Sequence, residues 1–364
     1  MTARGRRTET APDTQARNAT RQSPYCRRAA WTLVVLTPLI AELALGSTPI
    51  RMAWLVLLWV PIYGAGVLLI RELVVRRGRG WPSIMLLAVC YELLEDGIGL
   101  QALTSPRLYG AADWGARLLG FNVPYWFANT AYHAVFTVAI PIALTQLLFP
   151  AHRNRPYVGR FGLTVAAAVM ALGVLVLRVT VPPSEDPGYQ APPPFVIACL
   201  ALVAVLGVLA LTLVPAPRPQ QTEVNVPRPA TLALSAGAAT LAFFALTFPM
   251  FGSRQPAFTQ GPLVLVPLGL AAIGIAWGYR TLTRLTSSAQ WTDRHTLAIM
   301  GGALIAHTLG GMVIMADNTI DRLGLIFIAA LTLLALAILN RRLHQRSAAT
   351  EAATAAATHR SSEE

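Results

Sequence analysis

The chain has no lysine and only 17 carboxylates in 364 residues. Charged residues make up 13% of it, about half of the roughly 25% usual in soluble domains. That shortage excludes an ordinary water-exposed surface. Cysteine is nearly as scarce: Cys26, Cys90 and Cys199 form neither a CxxC pair nor a framework of bridges. Cys90 and Cys199 fall inside apolar runs, where a thiol serves as a small hydrophobe. All 29 basic residues are arginine, which reads as a bias toward GC-rich codons. The net charge of +12 does not point to nucleic acid, because the arginines gather at the ends of apolar runs and not on a soluble face.

What is abundant is hydrocarbon. Hydrophobic residues reach 54% and mean hydropathy is +0.52, a membrane composition. Ten segments approach the 20 or so apolar residues that a crossing needs: 29–48, 52–70, 83–103, 125–149, 161–181, 195–214, 231–251, 262–277, 297–315 and 322–339. The expectation is an all-α, polytopic helix bundle in the plasma membrane. Residues 1–28 read as a disordered polar tail, 29–160 as four helices carrying the polar residues, and 161–342 as six more helices. Residues 343–364, with AATEAATAAAT, read as a low-complexity tail, and 215–230 as a linker. Pro38 and Glu42 interrupt the first run and argue for an uncleaved helix over a signal peptide.

Arginine sets the expected orientation. With both termini in the cytoplasm, the inner loops hold 12 arginines and the outer ones 6. Positive residues favour the inside, so the chain reads as N-in and C-in. The loop RELVVRRGRGWP (71–82) suits contact with anionic headgroups, with Arg71–Glu72 as an ion pair. The outer loop 104–124 reads as an interfacial helix through Leu108, Trp114, Leu118 and Leu119, or as a long connector.

The stretch CYELLEDGIGLQ (90–101) is the anomaly. It places Glu92, Glu95 and Asp96 inside an apolar run, and with Gly99 they occupy positions i, i+3, i+4, i+7 on one helical face. A charge at mid-bilayer costs at least about 2.5–3.5 kcal/mol on insertion scales, so such a face turns inward or toward water. Counting from the span ends puts Glu42, Glu95, His133 and His307 in one layer about 9–12 Å below the outer surface. The candidate catalytic residues are therefore Glu95, Asp96, His133 and Glu92. Close carboxylates in low dielectric can hold or pass a proton, as acid catalysis and proton relays require. A divalent metal is a second option, with Glu95, His133 and His307 as ligands. The plainer readings are an arginine partner for Glu92 (Arg51, Arg107 or Arg117), a cap by Asp96 at Gly97-Ile98-Gly99, and core roles for the histidines.

PLIAELALGSTPI, PIYGAGVLLIRELVVRRGRGWPS, YELLEDG and YHAVFTVAIPIALTQLLFP, all within 38–150, resemble a family of uncharacterised multi-pass proteins of Gram-positive bacteria. The acidic pair before Gly97 and WTDRH (291–295) fit that pattern. The resemblance implies a polytopic helical protein and carries no activity. A partial likeness to CAAX-protease-like membrane proteins lacks two marks: Leu100 stands where EExxxR has arginine, and Asn129 where FxxxH has phenylalanine.

These residues suit three functions. One is an intramembrane enzyme on a lipophilic small molecule, using acid–base or metal-assisted chemistry. The others are a proton-coupled transporter and a non-catalytic membrane partner. No internal repeat matches the two halves, which counts against the transporter.

Overall fold

Each of the ten apolar runs forms the body of one helix. The computed structural model describes residues 25–113, 115–216, 223–248 and 261–361. Most of the expected N-terminal tail, Trp114, the centre of the linker and the last residues of the seventh run lie outside these.

The helices are α1 (27–43), α2 (Ile50–Arg76), α3 (81–99), α4 (Val123–Leu148), α5 (Arg160–Glu185), α6 (Pro193–Leu213), α7 (Pro229–Thr247), α8 (Pro262–Thr286), α9 (Asp293–Ile314) and α10 (Thr319–Ser361). Eight are long and apolar enough to cross a membrane. The other two fall short for visible reasons: α1 is brief, and α3 carries the three acids. The chain is an all-α, multi-pass membrane protein. Helix starts reflect local chemistry. Asn122 accepts a hydrogen bond from the Tyr125 amide at the head of α4, and proline occupies the first turn of α3, α4, α6, α7 and α8.

Five helices widen into π turns: Leu39–Leu43, Val60–Gly64, Leu93–Gly99, His133–Ala139 and Leu209–Leu213. In α3 the widening shows in the bond from the Leu100 amide to the Glu95 carbonyl, five residues back. Proline gives the reason in two cases. Pro61 lies in the second π segment, and Pro141 comes just after the fourth. A proline removes one ladder donor and crowds the turn before it, and a wider turn relieves both.

Two apolar cores result. One joins α1 to α6; the other joins α4 to α7, α9 and α10, and α1 and α4 contribute to both. Burial reflects this arrangement. In its most apolar window α4 is 67% buried, and α6 only 11%. The outer faces of α5 to α10 carry leucine, valine, isoleucine and phenylalanine, as lipid-facing surfaces do.

At the arginine-rich end, Arg71 is fully buried in an internal clamp that includes the expected ion pair with Glu72, while Arg77 stays exposed. Arg71 donates to Glu72 (2.6 Å) and to the carbonyls of His152, Arg153 and Arg155 (2.8, 3.1 and 2.8 Å), and its guanidinium stacks over the Tyr157 ring. Glu72 also accepts from the Tyr157 amide. Arg76 donates to the Val158 carbonyl, and Arg79 to the carbonyls of Leu211, Thr212 and Val214, capping the end of α6. The carbonyls were the better partners because a buried guanidinium has five donors to satisfy.

At the opposite end, the connector 104–124 contains a short 3-10 turn, Leu108–Asp113, and a small hairpin, with β1 (Arg117–Leu118) antiparallel to β2 (Phe121–Asn122). Leu108 is buried and Leu119 fully exposed, so the expected interfacial helix does not form there. Ser105 donates to Asp186 (2.7 Å), and Gln101 accepts from the Ala191 amide (2.6 Å), which ties the end of α3 to the α5–α6 connection. The last helix continues past the expected tail boundary; Leu343 is buried, and Arg346 donates to the Leu147 carbonyl.

Candidate functional site

The acids of α3 gather at the start of its π turn, and His133, at the start of the π turn of α4, reaches them. Leu93–Gly99 in α3 holds Glu95 and Asp96, with Glu92 just before it; His133 opens the π turn of α4. All four residues are buried, none more than 5% exposed. His133 Nε2 lies 3.6 Å from Glu92 Oε2 and 3.9 Å from Asp96 Oδ2, while Nδ1 lies 3.6 Å from Glu95 Oε2. Ligand atoms of Glu92, Asp96 and His133 all fall within 4.8 Å of one another. The structure thus brings together the four residues that the sequence singled out as catalytic.

Glycine on the other side of α3 allows this. A Cβ at Gly97 would stand 3.2 Å from Cys199 Sγ, and one at Gly99 would stand 3.4 Å from Leu177. So α3 turns its small residues to α5 and α6 and its acids to α4. Gly99 leaves the acidic face that a regular helix would give it, because the π turn shifts the azimuth of the residues beyond it. The helix runs through Gly97-Ile98-Gly99 without the expected cap by Asp96.

The acids differ in how well they are satisfied. Glu42 is saturated: Oε2 accepts from Ser47 (2.8 Å) and Thr48 (2.9 Å), and Oε1 accepts from the Tyr63 hydroxyl (2.5 Å). Both oxygens of Glu92, Oε2 of Glu95 and Oδ2 of Asp96 are buried and accept from no backbone or basic donor among the described residues; Glu92 and Asp96 are close enough to share a proton, and the Tyr91 hydroxyl stands beside Glu95. No arginine pairs with them there either. Arg51 reaches Asp321, and Arg117 donates to the carbonyls of Ser105, Ala111 and Gly120. The rings of Tyr63 and Tyr91 flank His133 at 6.3 and 5.6 Å between centroids, linking Glu42 to the cluster through a buried aromatic wall.

His307 is set apart from the acids. It is fully buried, stacks on Phe136 (4.4 Å) and bonds to the Tyr132 hydroxyl through Nε2 (3.0 Å). That hydroxyl donates its one proton to the Ala41 carbonyl at 2.5 Å. His307 must therefore donate through Nε2–H. Tyr132 and His133 are neighbours that serve different helices, one turned to α9 and the other to α3. The pairing of Tyr132 with His307, and the Arg71–Tyr157 clamp, had no signal in the sequence beyond the residue types.

The family model described as an uncharacterized membrane protein family matches residues 32–341. No curated protein and no solved structure matches the chain.

Proposed function

The chain belongs to the uncharacterised membrane protein family, and from its site alone we propose that it is an intramembrane enzyme acting on a lipophilic substrate by acid–base chemistry. The observation that carries this reading is the set of buried carboxyl oxygens on Glu92, Glu95 and Asp96 that face His133 with no cation and no backbone donor to hold them. Other buried acids in this molecule are better held: Glu42 and Glu72 are engaged through both oxygens, and Asp321 keeps one oxygen paired, to Arg51 and Asn318. A buried polar group left unpaired costs about 1–3 kcal/mol, more if it is charged. Groups kept at that cost inside a membrane are candidates for chemistry.

Position assigns the roles. One carboxyl, holding a proton, delivers it to the leaving group of the substrate. A neighbouring carboxylate takes the proton of the attacking nucleophile. His133 stands between Glu95 on one ring nitrogen and the Glu92–Asp96 pair on the other, so it fixes where the acids of the site lie relative to one another. Such a buried cluster is approached more readily from the bilayer than from water, which favours a substrate with a lipophilic tail.

The test is comparative lipid analysis in a host lacking the gene. Wild type should restore the lipid profile; Glu95→Gln, present at equal level in the membrane, should not. Equal restoration by both would contradict the reading. A lipophilic compound that changes sides without changing structure would replace the enzyme with a transporter.

A further inference from the structure

We infer that Glu92, Asp96 and His133 bind one divalent transition-metal ion of the zinc class. The inference deepens the acid–base reading above and rests on it in placing the ion at the working centre.

Distance is the first argument. Nε2 of His133 is 3.6 Å from Glu92 Oε2 and 3.9 Å from Asp96 Oδ2. Both are too long for hydrogen bonds, which run to about 3.2 Å. They are close to the spacing of ligands that share an ion. Nitrogen and oxygen donors at about 2.0–2.2 Å in a tetrahedral arrangement stand roughly 3.4 Å apart. The three atoms, all within 4.8 Å of one another, need only small side-chain rotations to close on one centre.

Unsatisfied charge is the second. Glu92 is fully buried, and its oxygens and Asp96 Oδ2 have no cation and no donor among the described residues other than a proton the two carboxyls would share. Arg117 and Arg178 donate to backbone carbonyls, Arg51 pairs with Asp321, and Arg107 is exposed. A dication would neutralise the two carboxylates at once and use the very oxygens that lack a cation.

The histidine supplies the third. His133 Nδ1 is 2.9 Å from Thr137 Oγ1. With Nδ1–H donating to that hydroxyl, the Nε2 lone pair faces Glu92 and Asp96. Metal-bound imidazoles are held in this way, the far nitrogen donating to an outer partner that fixes tautomer and ring angle. One nitrogen and two carboxylate oxygens leave a fourth position free, as in hydrolytic sites where a bound water becomes the nucleophile.

This set differs from Glu95, His133 and His307. Glu95 lies beside Nδ1, on the far side of the ring, and His307 Nε2 is held by Tyr132. Glu95 is thus left as a base or acid beside the ion.

Full-length protein in nanodiscs, stripped with chelator, would be titrated calorimetrically with Zn2+. One ion per chain is expected. Asp96→Asn and His133→Gln should each weaken binding by at least about 100-fold, and Thr137→Val by about 10-fold, within the range for outer partners of a ligand. Glu95→Gln and His307→Gln should stay within about 3-fold of wild type. Should ligand variants not fold, the wild type still decides: Zn2+ must raise its unfolding temperature, and Co2+ must give the visible bands of a tetrahedral site. Absence of saturable binding, or binding indifferent to Asp96 and His133, overturns the inference. In that case a lipid profile still dependent on Glu95 leaves the acid–base reading standing. Zinc binding with no such dependence removes the acid–base reading alone.

Discussion

The pair α3–α4 and the pair α7–α9 solve the same problem, close approach of two helices in lipid, by opposite means. Between α7 and α9 both backbones are regular and contact is made through glycine. A Cβ on Gly302 would sit 1.9 Å from the Ala233 carbonyl oxygen, and further along α9 one on Gly311 would sit 1.9 Å from the Leu45 carbonyl oxygen. Small residues let helices touch where no hydrophobic drive exists between apolar surfaces. Between α3 and α4 both helices widen into π turns, and the space is filled with three acids and a histidine. The first pair gains packing. The second gives up regular backbone and hydrogen-bond satisfaction, and such losses gather where a protein does chemistry. That difference is what motivates the proposal that the α3–α4 cluster is a site and not a strut.

The largest effect should come from Gly302→Leu. Its side chain collides with backbone, which cannot rotate aside, so the loss should reach at least about 3 kcal/mol. Monodisperse protein after detergent extraction would be the readout, and a well-behaved variant would show that α7 and α9 can separate cheaply. Next come two acids that differ in satisfaction. Arg71→Leu removes the nearer cation of buried Glu72, leaving it only Arg76 at 3.4 Å, and should cost about 3 kcal/mol. Glu92→Gln, measured with chelator present, should cost close to nothing, because the amide can donate to Asp96 where the carboxyls shared a proton and no cation is lost. If the two melted alike, satisfied and unsatisfied acids would not differ in kind. His307→Phe removes the bond to Tyr132 and should cost about 1 kcal/mol while leaving zinc binding unchanged. Fusions test orientation with no perturbation of either helix pair. Alkaline phosphatase after Arg346 should be inactive, and within 184–190 active; the reverse pattern would invert the arginine argument.

Much of this architecture was legible in composition and run length. Ten apolar runs became helices because hydrocarbon leaves backbone groups no other partner than their own ladder. The site was legible in part. Glu92, Glu95 and Asp96 stood out because acids in apolar runs are costly, and His133 because an embedded histidine is rare. Their mutual facing depends on π turns that no period of 3.6 reveals; Pro61 and Pro141 hint at two of the five. His307 shared a counted depth with them, yet depth says nothing of azimuth, and the imidazole turned to Tyr132. Arg117 and Arg51 looked available to Glu92 by sequence proximity to the outer face. Carbonyls and Asp321 claimed them first.

The unfolding midpoint of the variant Glu92→Gln, Glu95→Gln, Asp96→Asn, measured against wild type in nanodiscs with chelator, bears most directly on whether the cluster is a site. The account predicts a midpoint within about 2 °C of wild type or above it, since the amides can keep the Glu92–Asp96 and Tyr91–Glu95 contacts as hydrogen bonds and remove buried like charge. A fall of about 6 °C or more would show that these carboxylates hold α3 to α4, and would contradict it.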